Sequence, residues 1–268
     1  MLLSVYWDVN PVMLDLGFLE LRYYGSLMAL GFIIGYFIVS KMLKIEKKDP
    51  KEVDRLLSYV VIGGLLGARL GHCFFYEPSY FFAHPKEILF VWQGGLASHG
   101  GAIGILISLY IYSISKTKNP YLWTLDRVVV PTALTASFIR IGNLMNSEIY
   151  GHQTDLPWGF IFAWNGETFP KHPTQIYESL AYLFIFIILL LVYKKRKGVI
   201  PRGLLLGMFL VLVFGFRFLI EFIKNPQVNF ETSMLINMGQ WLSLPFIITG
   251  AYLWYNALRK SKSENYTY

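Results

Sequence analysis

The sequence predicts an all-α protein that crosses a membrane repeatedly, and three observations predict it: bulk composition, the number of long apolar windows, and the alternation of basic residues between connections. Of 268 residues, 54% are hydrophobic and only 15% are charged, where a soluble chain carries roughly a quarter charged residues. Mean hydropathy is +0.45. Seven windows are apolar enough to span: about Tyr23 to Val39, Leu56 to Phe75, Leu96 to Ile114, Leu122 to Met145, Ile176 to Tyr193, Gly203 to Ile223 and Leu235 to Leu258. Each approaches the length that crosses a hydrocarbon core of about 30 Å.

At the N-terminus, Met1 to Arg22 lacks a basic leader and carries Asp8, Asp15 and Glu20, so it reads as a short external segment and not a cleaved signal peptide. Orientation follows from short basic loops staying in the cytoplasm. The first, third and fifth connections and the C-terminal tail hold Lys41, Lys44, Lys47, Lys48, Lys51 and Arg55; Lys116, Lys118 and Arg127; Lys194 to Lys197 with Arg202; and Arg259, Lys260 and Lys262. The opposite side has Arg22, Lys86, Lys171 and Lys224. Seven spans then put the N-terminus outside and the C-terminus in the cytoplasm. The net charge of +7 is a topology signal whose counter-charge is anionic lipid, and it argues for no nucleic acid partner.

The chain reads as a single domain, 1–268. Within it the longest external stretch, 146–175, carries Pro157, Trp158, Phe160, Phe162, Trp164 and Pro170, too aromatic for a loose linker, and is expected to form a small structured cap. A second external loop, Tyr76 to Gly94, contains Trp92. Aromatic rings of this kind suit the membrane interface. Cys73 is the only cysteine, which excludes an intramolecular disulfide and a cysteine-pair metal site; it reads as a small buried apolar residue. No internal repeat supports an inverted-repeat transporter.

The chemistry is carried by polar residues where lipid is expected. The fourth window runs into Arg140, Asn143, Asn146 and Glu148 before Gly151, and three-residue spacing puts the first three on one helix face. An unpaired charge there costs at least ~2.5 kcal/mol, so Arg140 requires an anionic ligand or its own glutamate. Arg69 lies in a glycine-rich run, Gly63 to His72, and reads either as a snorkelling cation or as part of a site. His99 stands between glycine pairs at 94–95 and 100–101. That glycine density implies close backbone approach to a helix or ligand, and an imidazole there can exchange a proton near neutral pH. Arg217 and Glu221 are four apart in the sixth window and could simply pair with each other. His172, Gln175, Tyr177 and Glu178 open the fifth.

All these groups fall on the external half, which argues against a pathway through the membrane, where ionisable groups would continue across the midplane. Arginine suits a phosphodiester through its planar fork. The five histidines show no paired metal-ligand spacing, so no metal is expected. An anionic-lipid transporter or flippase, in which the arginines bind phosphate and no bond breaks, is the alternative reading.

The run Arg140-Ile-Gly142-Asn143-Leu-Met-Asn146-Ser-Glu148-Ile-Tyr-Gly151 resembles the signature of the bacterial prolipoprotein diacylglyceryl transferases. Leu21-Arg22-Tyr23-Tyr24-Gly25, Gly94-Gly95-Leu-Ala-Ser-His99-Gly100-Gly101, His172-Pro173-Thr174-Gln175-Ile-Tyr177-Glu178 and the Arg217/Glu221 element are similar to family motifs in the same order. Ile139 and Leu144 depart from the family pattern at packing positions, and Phe214 is the nearest aromatic where many members have a tyrosine before the late arginine. The resemblance implies an integral enzyme of the bacterial cytoplasmic (inner) membrane with its site toward the external leaflet. It implies transfer of the diacylglyceryl group of phosphatidylglycerol to the lipobox cysteine thiol of a prolipoprotein signal peptide, releasing glycerol phosphate. Arg140 and Arg217 would then meet the phosphate, or one of the two would gate lipid entry instead; His99 would be the base, and Glu148 or Glu221 would orient groups around it. Tyr24, Asn143, Asn146, Gly151, His172 and Gln175 would bind substrate. No cofactor is expected, because the phospholipid already carries its leaving group.

Overall fold

The computed structural model describes residues 4–115, 119–225, 234 and 236–265. Lys116, Lys118 and Leu235, which enter the topology and span expectations above, lie outside the described residues. The chain is mostly helical: α1 (Tyr23–Ile45), α2 (Lys51–Phe75), α3 (Pro78–Ala83), α4 (Ser98–Ser115), α5 (Tyr121–Met145), α6 (Thr174–Lys195), α7 (Leu204–Ile220) and α8 (Met238–Asn265). Four short strands qualify the all-α expectation: β1 (Val5–Trp7), β2 (Val12–Asp15), β3 (Glu20–Arg22) and β4 (Phe160–Phe162). β2 pairs antiparallel with β3. β1 pairs parallel with β4, Val5 opposite Phe160.

Among the described residues, six helices are long and apolar enough to cross a membrane: α1, α2, α4, α5, α6, and α7 with its 3₁₀ extension to Ile223. The longer α8 has its apolar character diluted by Gln240, Ser243, Pro245 and Asn256. The chain divides into two compact units, Met1–Ile38 with Asp126–Tyr268, and Val39–Leu125.

In the second unit, α2 packs on α4 along a glycine seam. A Cβ added at Gly67 would lie 2.7 Å from Gly104 Cα, and one at Gly71 would lie 2.8 Å from Gly100 Cα. Small residues let the backbones approach this closely, so the glycines that follow His99, Gly100 and Gly104, serve helix contact. His99 itself is exposed in the first turn of α4. Arg69 does not snorkel: it is 4% exposed. Its guanidinium donates to the backbone oxygens of Glu87, Ile88 at 3.0 Å and Gly94 at 2.6 Å, and it lies 5.0 Å from the Phe81 ring centroid. The irregular backbone from 84 to 97 has few ladder bonds, and this one side chain supplies the missing donors. Cys73 is fully buried, as expected.

In the first unit, α7 packs between α6 and α8. The start of α7 is capped from α5: Asp126, fully buried, accepts from Gly203 N at 2.7 Å and Leu206 N at 2.9 Å. Such a carboxylate satisfies amides that the helix itself leaves unpaired. Arg127 is 2% exposed and donates to Gly198 O, so its side chain takes part in packing. Trp7, Tyr150 and Ile176 pack around a small core of Leu144, Phe160 and Phe162, which fastens the N-terminal strand and the 146–173 segment to the end of α5.

Candidate active site

The site is built where α5 stops. Glu148 N bonds Asn143 O at 3.0 Å and Ser147 N bonds Leu144 O at 2.9 Å, the paired bonds of a Schellman cap. Ser147, at φ 53°, takes the left-handed position that glycine usually fills. The chain therefore folds back on itself, and Glu148 Oε1 receives Asn143 Nδ2 at 2.8 Å and Asn146 Nδ2 at 3.1 Å. Ile149 is also left-handed, at φ 61°, a strained conformation for a β-branched residue. What over-determines it is a set of side chains on three consecutive carbonyls: Asn165 Nδ2 on Ser147 O, Gln175 Nε2 on Glu148 O at 2.7 Å, and Thr174 Oγ1 on Ile149 O at 2.8 Å.

Two motif glycines permit this arrangement. At Gly142 a Cβ would fall 2.9 Å from Tyr24 Cδ2 and 3.0 Å from Tyr24 Cα, so glycine admits the start of α1 against α5 and brings Tyr24 to the cluster. Gly151 bridges to Lys224, and a side chain there would strike Ile223 O and His172 Cβ.

Arg140 reaches Asn143 Oδ1 at 3.3 Å. Its ionic partner is not Glu148 but Glu178 of α6, with Nε 3.3 Å from Oε2. Glu178 is fully buried and also meets Lys224 Nζ at 3.0 Å. Glu221 lies 3.7 Å from Lys224 Nζ, and no Arg217–Glu221 bridge forms among the described residues. Arg217 is half-buried in α7. Phe214 stacks on Phe246 at 4.3 Å. His172 joins the turn through its backbone, which accepts from Gly151 N at 2.9 Å, while its ring faces the Tyr177 hydroxyl at 3.4 Å. Partial burial, aided by the neighbouring His152, holds the His172 imidazole below its ordinary value, which favours its neutral form.

Several acceptors stay open. Asn146 Oδ1 and Gln175 Oε1 are buried without a hydrogen-bond partner, which suits a ligand with hydroxyl donors; Glu178 Oε2 and Glu221 Oε2 also make no hydrogen bond but face the cations of Arg140 and Lys224. No group of three His, Cys, Asp or Glu side chains fit to hold a metal occurs among the described residues. The structure thus brings together Tyr24, Arg140, Asn143, Asn146, Glu148, Gly151 and Gln175, with Glu221 joined through Lys224 and Glu178. His99 belongs to the other unit.

A model of the family described as prolipoprotein diacylglyceryl transferase matches residues 11–256. The chain belongs to this family. It is similar to the phosphatidylglycerol–prolipoprotein diacylglyceryl transferase of Chloroherpeton thalassium, 46% identical over 97% of each chain. It also resembles the protein of that name from Tolumonas auensis, 45% identical over 93% of this chain and 96% of the relative, and that from Porphyromonas gingivalis, 45% identical over 94% of each. The sequence pattern pointed to Glu178 and Thr174 only as members of the motif that opens α6, without a role in the site, and it gave no site role to Lys224 or Asn165. For Glu178 a signal existed: it lies one turn after Gln175 on the same face of an apolar helix, where a carboxylate needs a cation. Lys224, read as an external loop charge, gave none.

Proposed function

We propose that this chain transfers the diacylglyceryl group of phosphatidylglycerol to prolipoproteins, as the names of its relatives describe, and that the acceptor is the lipobox cysteine thiol. The observation that carries the reading is the half-buried Arg140–Asn143–Asn146–Glu148 cluster, with the unpartnered acceptor of Asn146, on a chain of this family. The thiolate attacks the glycerol C3 of the lipid; the new C–S bond forms as the C–O bond to phosphate breaks, and glycerol phosphate departs. Arg140 and Arg217 bind the phosphate and offset the charge that grows on it. Asn143, Asn146 and Gln175 take the hydroxyls of the glycerol headgroup, with Tyr24, Gly151 and His172 completing the binding wall. His99 accepts the thiol proton, whose ordinary pKa is about 8.5, and Glu148 and Glu221 orient the reacting groups.

The frame of this reading is a single catalytic domain, 1–268, with α8 as the seventh span, the N-terminus outside and the C-terminus cytoplasmic. The site faces the external leaflet of the cytoplasmic membrane, and the aromatic segment 146–175 is the external cap on which the signal peptide lies.

The test uses purified protein in detergent with phosphatidylglycerol and a lipobox peptide. Glycerol phosphate release that requires the peptide thiol, and that disappears in Arg140→Ala at unchanged thermal stability, supports the transferase. Lipid movement without release selects the flippase. A His99→Ala variant with full rate between about pH 6 and 9 would remove His99 as the base.

A further inference from the structure

Lys224 stands just beyond the 3₁₀ extension of α7 with its side chain 2% exposed. An ammonium at that depth requires partners, and Glu178 Oε1 and Glu221 Oε2 supply them at 3.0 and 3.7 Å. Its backbone is tied to the site turn as well, through the Gly151 bridge and through Asn225 N on Tyr150 O at 3.3 Å. The two oxygens of Glu178 divide their partners. Oε1 takes Lys224 Nζ and the Tyr182 hydroxyl, the latter at 3.3 Å. Oε2 faces Arg140 Nε at 3.3 Å yet makes no hydrogen bond.

The carboxylate is therefore fastened on the side away from Arg140, and the guanidinium is held by charge at a non-bonding angle. Without the ammonium, a fully charged buried carboxylate would draw Arg140 into the two-pronged bridge that arginine and carboxylate prefer. That bridge would occupy the N–H edge a phosphate needs. We propose that Lys224, acting through Glu178, is a positioning residue that keeps Arg140 from closing onto Glu178 and so keeps its N–H fork open to the lipid phosphate. The inference rests on the transferase reading.

The experiment compares full-length wild type, Lys224→Met, Lys224→Arg, Glu178→Gln and the Glu178→Gln/Lys224→Met double variant, with KM measured separately for phosphatidylglycerol and for the peptide. Lys224→Met raises the KM for phosphatidylglycerol about tenfold or more while the peptide KM stays within about twofold. Lys224→Arg returns it to within about threefold of wild type, because the second cation is restored. On the Glu178→Gln background, Lys224→Met changes the lipid KM by less than about twofold, since a neutral amide no longer draws Arg140. An unchanged lipid KM in Lys224→Met, or an equal rise in both KM values, overturns the proposal. Should Lys224→Met not fold, the two Glu178→Gln proteins decide: a difference between them above about threefold refutes the relay. Failure of wild type to release glycerol phosphate defeats the transferase reading itself, whereas release with unaltered variants defeats only the role of Lys224.

Discussion

Replacing Gly142 by alanine tests whether Tyr24 works from where it sits. The new Cβ would lie 2.9 Å from Tyr24 Cδ2 and 3.0 Å from Tyr24 Cα, whereas carbon contacts are comfortable from about 3.5 Å. A ring can swing aside, but a Cα cannot, so the start of α1 must retreat by about 0.5 Å. Overpacking of this kind costs about 1–3 kcal/mol, against which alanine in a helix returns ~1 kcal/mol relative to glycine. Net stability should fall by no more than about 2 kcal/mol. Activity is more sensitive, because an ångström of misplacement can cost about 100-fold; a 10- to 100-fold loss of kcat/KM is expected here. Glycerol phosphate release and thermal unfolding, measured on the same detergent preparation, separate the two effects. Full activity at wild-type stability would show that the placement of Tyr24 against α5 is irrelevant to turnover.

Three further outcomes rest on local geometry. Ser147→Gly should raise thermal stability by about 1 kcal/mol, because glycine suits the left-handed cap position and the change removes a buried hydroxyl without a partner; a lower melting temperature would contradict the cap reading. Arg69→Met should orphan the carbonyls of Glu87, Ile88 and Gly94 at more than about 3 kcal/mol, and trypsin should then cut after Lys86 where it spares wild type. The folded His172 titrates below its ordinary 6.5, so the unfolded chain binds more protons as pH falls. Its share of stability is complete above about 6.5 and is lost on acidification below it. His172→Gln should flatten that part of the acid limb, and an unchanged limb would refute it.

The sequence made the helices legible because apolar windows of membrane length have few other readings, and it made the Arg140–Glu148 run legible because charge stood where lipid was expected. The strands were not legible. β1 is three residues whose partner, β4, lies more than 150 residues away, and nothing in Val5–Trp7 points to Phe160–Phe162. Pairing between side chains of different helices was not legible for the same reason. Glu148 is near Arg140 in sequence, yet two amides occupy it, and the carboxylate that meets the guanidinium comes from another helix. Helical spacing tells which residues share a face and not which face they meet. The burial of Lys224 was not legible because a lysine after an apolar run looks the same whether it ends in water or between two buried carboxylates.

The side chains that hold the carbonyls of 147 to 149 also decide where this chain can change length. Thr174 and Gln175 act from the first turn of α6, and Glu178 comes one turn later. Each residue inserted in a helix turns the remainder of that helix by about 100°. One residue added between Gln175 and Glu178 would keep the grip on the turn and swing the carboxylate away from Arg140. By contrast, the exposed stretch from Asp155 to Trp158 lies outside these contacts, and lengthening a loop costs little, about 0.6 kcal/mol per doubling. Natural variation in length, and any inserted tag, should therefore collect at 155–158 and be absent from 174–178.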